Sequence, residues 1–196
     1  MHDPQLRGID GEKLGWSLGI RLLHWLTVIA LAGQLAIGFF LFGPGMATHV
    51  WMPIHISVGA GIFGILIVRL AWRLFDHAPK RMASPAFRRL AALVHASLYT
   101  LIVAVLITGW MAFRPAPFMP PAKLLGFFAV PQAPSVPDFS VRDLATAHSI
   151  LVWVFLSFVA LHLAAAVVHG VILRDGIVEG MLWSRGDRRA PKPAGQ

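Results

Sequence analysis

The sequence predicts an all-α protein, an integral membrane four-helix bundle with both termini cytoplasmic. Three observations predict it. The 196 residues are 57% hydrophobic and only 13% charged, against about 25% charged in a soluble domain, and the mean hydropathy is +0.68. Four apolar stretches, roughly residues 20–42, 54–74, 90–113 and 144–173, each meet the requirement of about 20 residues for a spanning helix. The basic residues are unevenly shared between the two sides that these stretches define.

Each element follows in order. Residues 1–19 form a short polar tail. The first stretch is too long for a signal-peptide core and is closed by no A-x-A-like site, so it is expected to remain as a helix. The other three stretches carry Gly, His or Ser among their apolar residues. Residues 20–173 therefore make one four-helix domain. Residues 174–196 are a basic tail rich in Arg, Lys, Pro and Gly, expected to be disordered from Trp183 onward.

The net charge of +8 reads as topology and not as nucleic-acid binding. Fourteen basic residues fall on one side: Arg7, Lys13 and Arg21, then Arg69, Arg73, Lys80, Arg81, Arg88 and Arg89, then Arg174, Arg185, Arg188, Arg189 and Lys192. Three fall on the other side, Arg114, Lys123 and Arg142. The positive-inside rule then puts both termini in the cytoplasm and the links 43–53 and 114–142 outside. In a Gram-negative cell that location is the inner membrane, with the outer links facing the periplasm.

The link 114–142 contains Pro115, Pro117, Pro120, Pro121, Pro131, Pro134 and Pro137. Its apolar piece, residues 123–130, is expected to lie on the membrane surface as a short helix.

Ionisable groups inside a membrane span are costly and point to function. His24, His55, His148 and His162 all fall in the spans. With the predicted topology, His24 lies about one turn inside the inner surface. His55 lies in the first turn of helix two and His148 near the start of helix four, both at the outer surface. His162 is fourteen residues beyond His148. That is roughly 21 Å deeper and within about 40° of the same face. Neutral imidazole is the standard axial ligand of haem, and two bis-histidine haems, one above the other, satisfy all four residues.

The chain has no cysteine. This excludes an all-cysteine iron–sulfur cluster and a C-x-x-C-H attachment site, so the haem is expected to be b-type. By depth alone His95 or His169 could replace His162 as the partner of His24. With Tyr99, they are otherwise expected at the haem periphery or along a quinone or proton path. Arg21, Arg69, Arg73 and Lys123 are placed to neutralise haem propionates. His49 is expected in the short outer loop, and His2 and His77 on the solvent side.

The run Ser57-Val58-Gly59-Ala60-Gly61-Ile62-Phe63-Gly64 contains G-x-G-x-x-G. No strand precedes it, so it is not a dinucleotide fingerprint. It reads as a small-residue face on helix two, beginning one turn after His55.

These residues together resemble the prokaryotic cytochrome b561 family. The matching pieces are Ile20-Arg21-Leu22-Leu23-His24-Trp25, Ile54-His55-Ile56-Ser57-Val58-Gly59, His95 with Leu98-Tyr99, Trp153 after His148, and Ala160-Leu161-His162-Leu163-Ala164-Ala165-Ala166 with His169. The resemblance covers roughly residues 16–180. It implies two haem b groups, one held by His55 and His148 and the other by His24 and His162. It also implies electron transfer between a periplasmic-side donor, superoxide in some members, and the quinone pool.

Related proteins serve as the cytochrome b subunit of hydrogenases and formate dehydrogenases. The lack of an added domain favours a self-contained carrier here. A reading of another class is a His-lined transition-metal transporter. The near-absence of Asp and Glu from the spans argues against it.

Overall fold

The computed structural model describes residues 16–42, 46–76 and 85–182. His2, His77, Arg7, Lys13, Lys80, Arg81, the basic residues beyond 182 and the expected disorder from Trp183 onward lie outside the described residues.

Among the described residues four helices are long and apolar enough to cross a membrane. Helix α1 (Leu18–Ala36) is capped by Ser17, whose side chain accepts from the Ile20 N–H, and continues as a π-helical turn over Ile37–Leu41. Helix α2 spans Met46–Phe75 and α3 spans Pro85–Ala112. Helix α4 (Val141–Val167) continues as a π-helical turn over Val168–Leu173. Its start is fixed by a capping box: Ser140 Oγ accepts from the Asp143 N–H, and Asp143 Oδ2 accepts from the Ser140 N–H. Such a cap contributes about 1 kcal/mol.

The outward faces are apolar. Phe40, Leu74 and Phe75 are each more than 80% exposed, which a lipid surround explains and water does not. Several Ser and Thr hydroxyls on the spans are satisfied within their own helices, as a membrane interior favours. Thr27 donates to Leu23 O, Ser57 to Pro53 O and Thr108 to Ala104 O.

Consecutive helices run antiparallel, with α1 packed on α2 and α3 on α4. The core sits at mid-height, where Ile62, Leu66, Ile102 and Phe155 are buried against one another, with Leu31 and Val58 beside them.

Two expectations at the hairpin end, where α1 meets α2 and α3 meets α4, need correction. Helix α2 begins at Met46 and runs through Pro53, so the link is far shorter than 43–53. Proline is tolerated there because it removes one N–H while the rest of the turn stays bonded. His55 is therefore nine residues into the helix and not in its first turn. His49 lies on α2 and not in a loop, its ring 4.6 Å from that of Phe118.

The second correction concerns residues 123–130, which form a β-hairpin and not a helix. Strand β1 (Lys123–Leu124) pairs antiparallel with β2 (Phe128–Ala129). Leu125 and Gly126 turn the chain at φ 52° and 78°. Pro120, Pro121 and Pro131 flank a piece too short for a stable helix, and the left-handed pair favours a turn.

The hairpin is fastened to the bundle. The Lys123 N–H donates to Ser57 Oγ at 2.9 Å, Trp110 Nε1 donates to Pro131 O at 2.7 Å, and Ala122 is buried against Ile56 and Phe113. Arg114 caps the end of α3 through Met111 O and Phe113 O.

At the opposite, tail end, the chain leaves α4 through Arg174, in the left-handed region at φ 48°. It turns back into the short helix α5 (Glu179–Leu182). Trp25 Nε1 donates to Met181 O at 3.2 Å, fastening α5 to α1. The start of α1 lies against the end of α2: Arg73 stacks over Trp16 at 5.5 Å, and a Cβ at Gly19 would meet the Trp72 ring at 2.6 Å.

Candidate functional site

The four helices carry one spacing. On α1, His24 is followed fourteen residues later by Gly38; on α2, His55 by Arg69; on α3, His95 by Gly109; and on α4, His148 by His162. Fourteen residues advance a helix by roughly 21 Å and return it close to the same face. Because alternate helices run in opposite directions, the eight residues form two levels. The hairpin-end level holds Gly38, His55, Gly109 and His148. The tail-end level holds His24, Arg69, His95 and His162. Seven residues from either end stand Leu31, Ile62, Ile102 and Phe155, which are the apolar layer between the levels.

At the hairpin-end level the ring centres of His55 and His148 are 6.3 Å apart, with the planes at 83°. His148 lies directly on α3, where a Cβ at Gly109 would come within 2.8 Å of the ring. Its Nδ1 is 2.9 Å from Val105 O. That bond puts the proton on Nδ1 and leaves the Nε2 lone pair free to ligate, the usual arrangement for a metal-binding histidine. The His55 ring faces Gly38 in the π-helical turn, 3.5 Å from where a Cβ would be. A π-helical turn in an otherwise regular helix is often found at a functional site.

At the tail-end level the ring centres of His24 and His162 are 6.5 Å apart, and those of His95 and His162 are 5.3 Å apart. His95 Nδ1 is 2.6 Å from Ala91 O, one turn back on its own helix. Arg69 donates to His24 Nδ1 at 3.1 Å and stacks over Tyr99 at 5.6 Å. In this arrangement the neutral His24 ring carries its proton on Nε2, so ligation through Nε2 requires Arg69 to release Nδ1. Arg21, also near this end, has a buried Nε that lacks a hydrogen-bond partner among the described residues.

The distances test whether these pairs fit a haem. A metal–imidazole bond is about 2.0 Å, and the ring centre lies about 1.1 Å behind the nitrogen. Two imidazoles on opposite sides of one metal ion therefore have ring centres about 6.2 Å apart. The pairs at 6.3 and 6.5 Å fit. His95 and His162, at 5.3 Å, stand too close to ligate one iron from opposite sides.

His169, seven residues beyond His162, has its Nδ1 bonded to Asp175 in the turn after α4. Among the described residues no group of three His, Asp or Glu side chains is gathered to hold a bare metal ion.

The glycines that seat the rings, Gly38 and Gly109, are not those singled out from sequence. Of the G-x-G-x-x-G run, Gly59 meets Gln34 and Leu106, Gly61 meets the hairpin through Leu124, and Gly64 meets nothing within 4 Å. They do not form one face. The signal that could have found the right pair is the fourteen-residue spacing from His24 and His95.

The family model for prokaryotic cytochrome b561 matches residues 15–184. The chain belongs to that family. A relative named cytochrome b561 homolog 2, from Escherichia coli (strain K12), is 26% identical over 164 residues, covering 81% of this chain and 86% of the relative. As a cytochrome b561, the protein is a multi-pass membrane electron carrier that binds haem b. The histidine pairs are where its donor chemistry suits that group.

Proposed function

We propose that this cytochrome b561 carries two haem b groups, one held by His55 and His148 and the other by His24 and His162. On this reading it moves electrons between a donor at the periplasmic face and the quinone pool. The observation that carries the reading is the pair of ring-centre distances, 6.3 and 6.5 Å, matching two axial imidazoles at each of two levels. Haem held by these histidines would supply a one-electron couple and leave no position on the iron for substrate.

The protein's own residues do the rest. Val105 O fixes the tautomer of His148, and Gly109 lets its ring lie against α3. Arg21, Arg69 and Arg73 supply positive charge at the tail-end level for propionates, with Tyr99 beneath the Arg69 guanidinium. Lys123 is placed to do so at the hairpin end. The buried layer of Ile62, Leu66, Ile102 and Phe155 excludes water between the levels. His95 and Tyr99 line the tail-end level where a quinone would approach, whereas His169 fastens the turn after α4.

The division read from the sequence, a four-helix domain at residues 20–173 between an N-terminal segment (1–19) and a basic C-terminal segment (174–196), is kept for the haem-binding unit, although helix α1 begins at Leu18 and α5 reaches Leu182. The division of basic residues, fourteen against three, supports an orientation with both termini in the cytoplasm of a bacterial inner membrane. The hairpin end then faces the periplasm. Arg114, Lys123 and Arg142 make that face attractive to an anionic donor such as superoxide. Two superoxide ions would each surrender one electron and leave as oxygen, and those two electrons with two protons would convert a quinone to a quinol.

The test is a pyridine haemochrome count on the purified protein, followed by stopped-flow absorbance with superoxide and with quinone at two ionic strengths. Two haems per chain, fast reduction by superoxide that salt slows, and quinone-dependent reoxidation are expected. Reaction with quinone alone would make the protein a subunit served by a partner dehydrogenase. One haem per chain would overturn the ligand assignment.

A further inference from the structure

We infer that Gln34 is a positioning residue for His55, tied through its amide nitrogen to the α2 backbone and offering its amide oxygen to the second nitrogen of the imidazole. The inference rests on His55 being a haem ligand, as proposed above.

Gln34 lies on α1, one turn before the π-helical segment. Its Nε2 donates to the backbone carbonyl of His55 at 3.0 Å. It reaches that carbonyl beside Gly59, where a Cβ would stand 3.4 Å from Nε2. An amide inside a membrane span is costly unless both of its ends are used. Only one end of this amide is used: Gln34 Oε1 is buried and has no hydrogen-bond partner among the described residues.

The atom that could use it is on the residue whose carbonyl Gln34 already holds. His55 Nδ1 is also buried and also has no partner among the described residues. When a histidine ligates through Nε2, its Nδ1 carries a proton and needs an acceptor. His148, the other ligand at this level, has one in Val105 O. His55 faces α1 at Gly38 and is held at its own carbonyl by Gln34. Gln34 Oε1 and His55 Nδ1 are thus a buried acceptor and a buried donor on the same two residues that already share one bond. A rotation of the two side chains toward each other closes the second bond and fixes the imidazole in the tautomer that ligates.

A bond of this kind strengthens the ring as a donor to ferric iron, which lowers the potential of that haem. A side chain that merely joined α1 to α2 would leave the potential alone. The experiment compares full-length, haem-loaded Gln34→Leu and Gln34→Glu with the parent and with His55→Ala. It measures haem content, the midpoint potential of each haem by spectroelectrochemistry, and the low-spin ferric EPR signals. Gln34→Met replaces Gln34→Leu should the latter fail to accumulate.

In Gln34→Leu the hairpin-end haem should show a raised midpoint, a shifted EPR signal and binding weakened on the order of tenfold. The tail-end haem should be unchanged. Gln34→Glu keeps an acceptor oxygen, so its hairpin-end midpoint should stay at or below that of the parent. Unchanged potential and EPR in Gln34→Leu, or an equal rise in both variants, overturns the inference while leaving the ligand assignment intact, provided His55→Ala has lost one haem. If His55→Ala retains both haems, the ligand assignment and this inference fall together.

Discussion

The hairpin-end level is built from neutral groups: two glycines, a backbone carbonyl and an amide surround His55 and His148. The tail-end level is built around a cation: Arg69 bonds His24, stacks on Tyr99 and shares its level with a third histidine. The same four helices, with the same fourteen-residue spacing, thus surround the two histidine pairs with different chemistry. At the hairpin end Val105 O sets the His148 tautomer and Gly109 seats its ring. At the tail end the Arg69 guanidinium occupies the His24 nitrogen that would carry the proton if that ring ligated through Nε2. One level is preorganised by shape, and the other is governed by charge.

The comparison breaks most sharply at Gly109. A Cβ there would sit 2.8 Å from the His148 ring, with the helix backbone behind it. Gly109→Val should remove the hairpin-end haem and spare the other, leaving one haem per chain by pyridine haemochrome. Gly38→Ala should be close to neutral by the same assay, since its Cβ would meet His55 at an ordinary 3.5 Å.

Phe155 tests what the two levels share. It is buried midway between them. Phe155→Ala should destabilise the protein by about 3 kcal/mol, the low end for removing a buried aromatic ring. Thermal unfolding should show the loss, and haem content should remain unchanged at low temperature. A selective loss of one haem would mean that the layer belongs to one level only.

Charge at the tail end is tested by Arg69→Gln. Removing a cation near one haem disfavours its reduced form, by roughly 2 kcal/mol for a charge several ångströms away in a partly screened site. The tail-end midpoint should fall while the hairpin-end midpoint holds. A fall at both levels would show that the apolar layer does not separate them electrostatically. The smallest effect is expected at His95. Its ring is too close to His162 to share an iron with it, so His95→Ala should keep both haems.

Much of this was legible in the sequence. The four spans announce themselves because a run of about 20 apolar residues has no other stable setting. His148 and His162 announce themselves because two ionisable groups on one span are costly. The start of α2 was not legible. Pro53 reads as a boundary, and Thr48 and His49 look like loop residues, although a helix end beyond the hydrocarbon carries polar groups at little cost. Residues 123–130 read as an interfacial helix because their composition is apolar, and composition does not register a turn made by two left-handed residues, one of them Leu125. Gly38 and Gly109 were hidden because a glycine declares its purpose only when the ring that fills its space is known. Gln34 was hidden likewise, since its meaning lies in which nitrogen of His55 is left without a partner.

The account turns on which histidines share an iron. Its most direct test is the haem content and low-temperature optical spectrum of four single variants, His24→Ala, His55→Ala, His148→Ala and His162→Ala. The account predicts that His55→Ala and His148→Ala each retain one haem and have the same spectrum. His24→Ala and His162→Ala should also retain one haem and share a different spectrum. Matching spectra from His24→Ala and His148→Ala would contradict it.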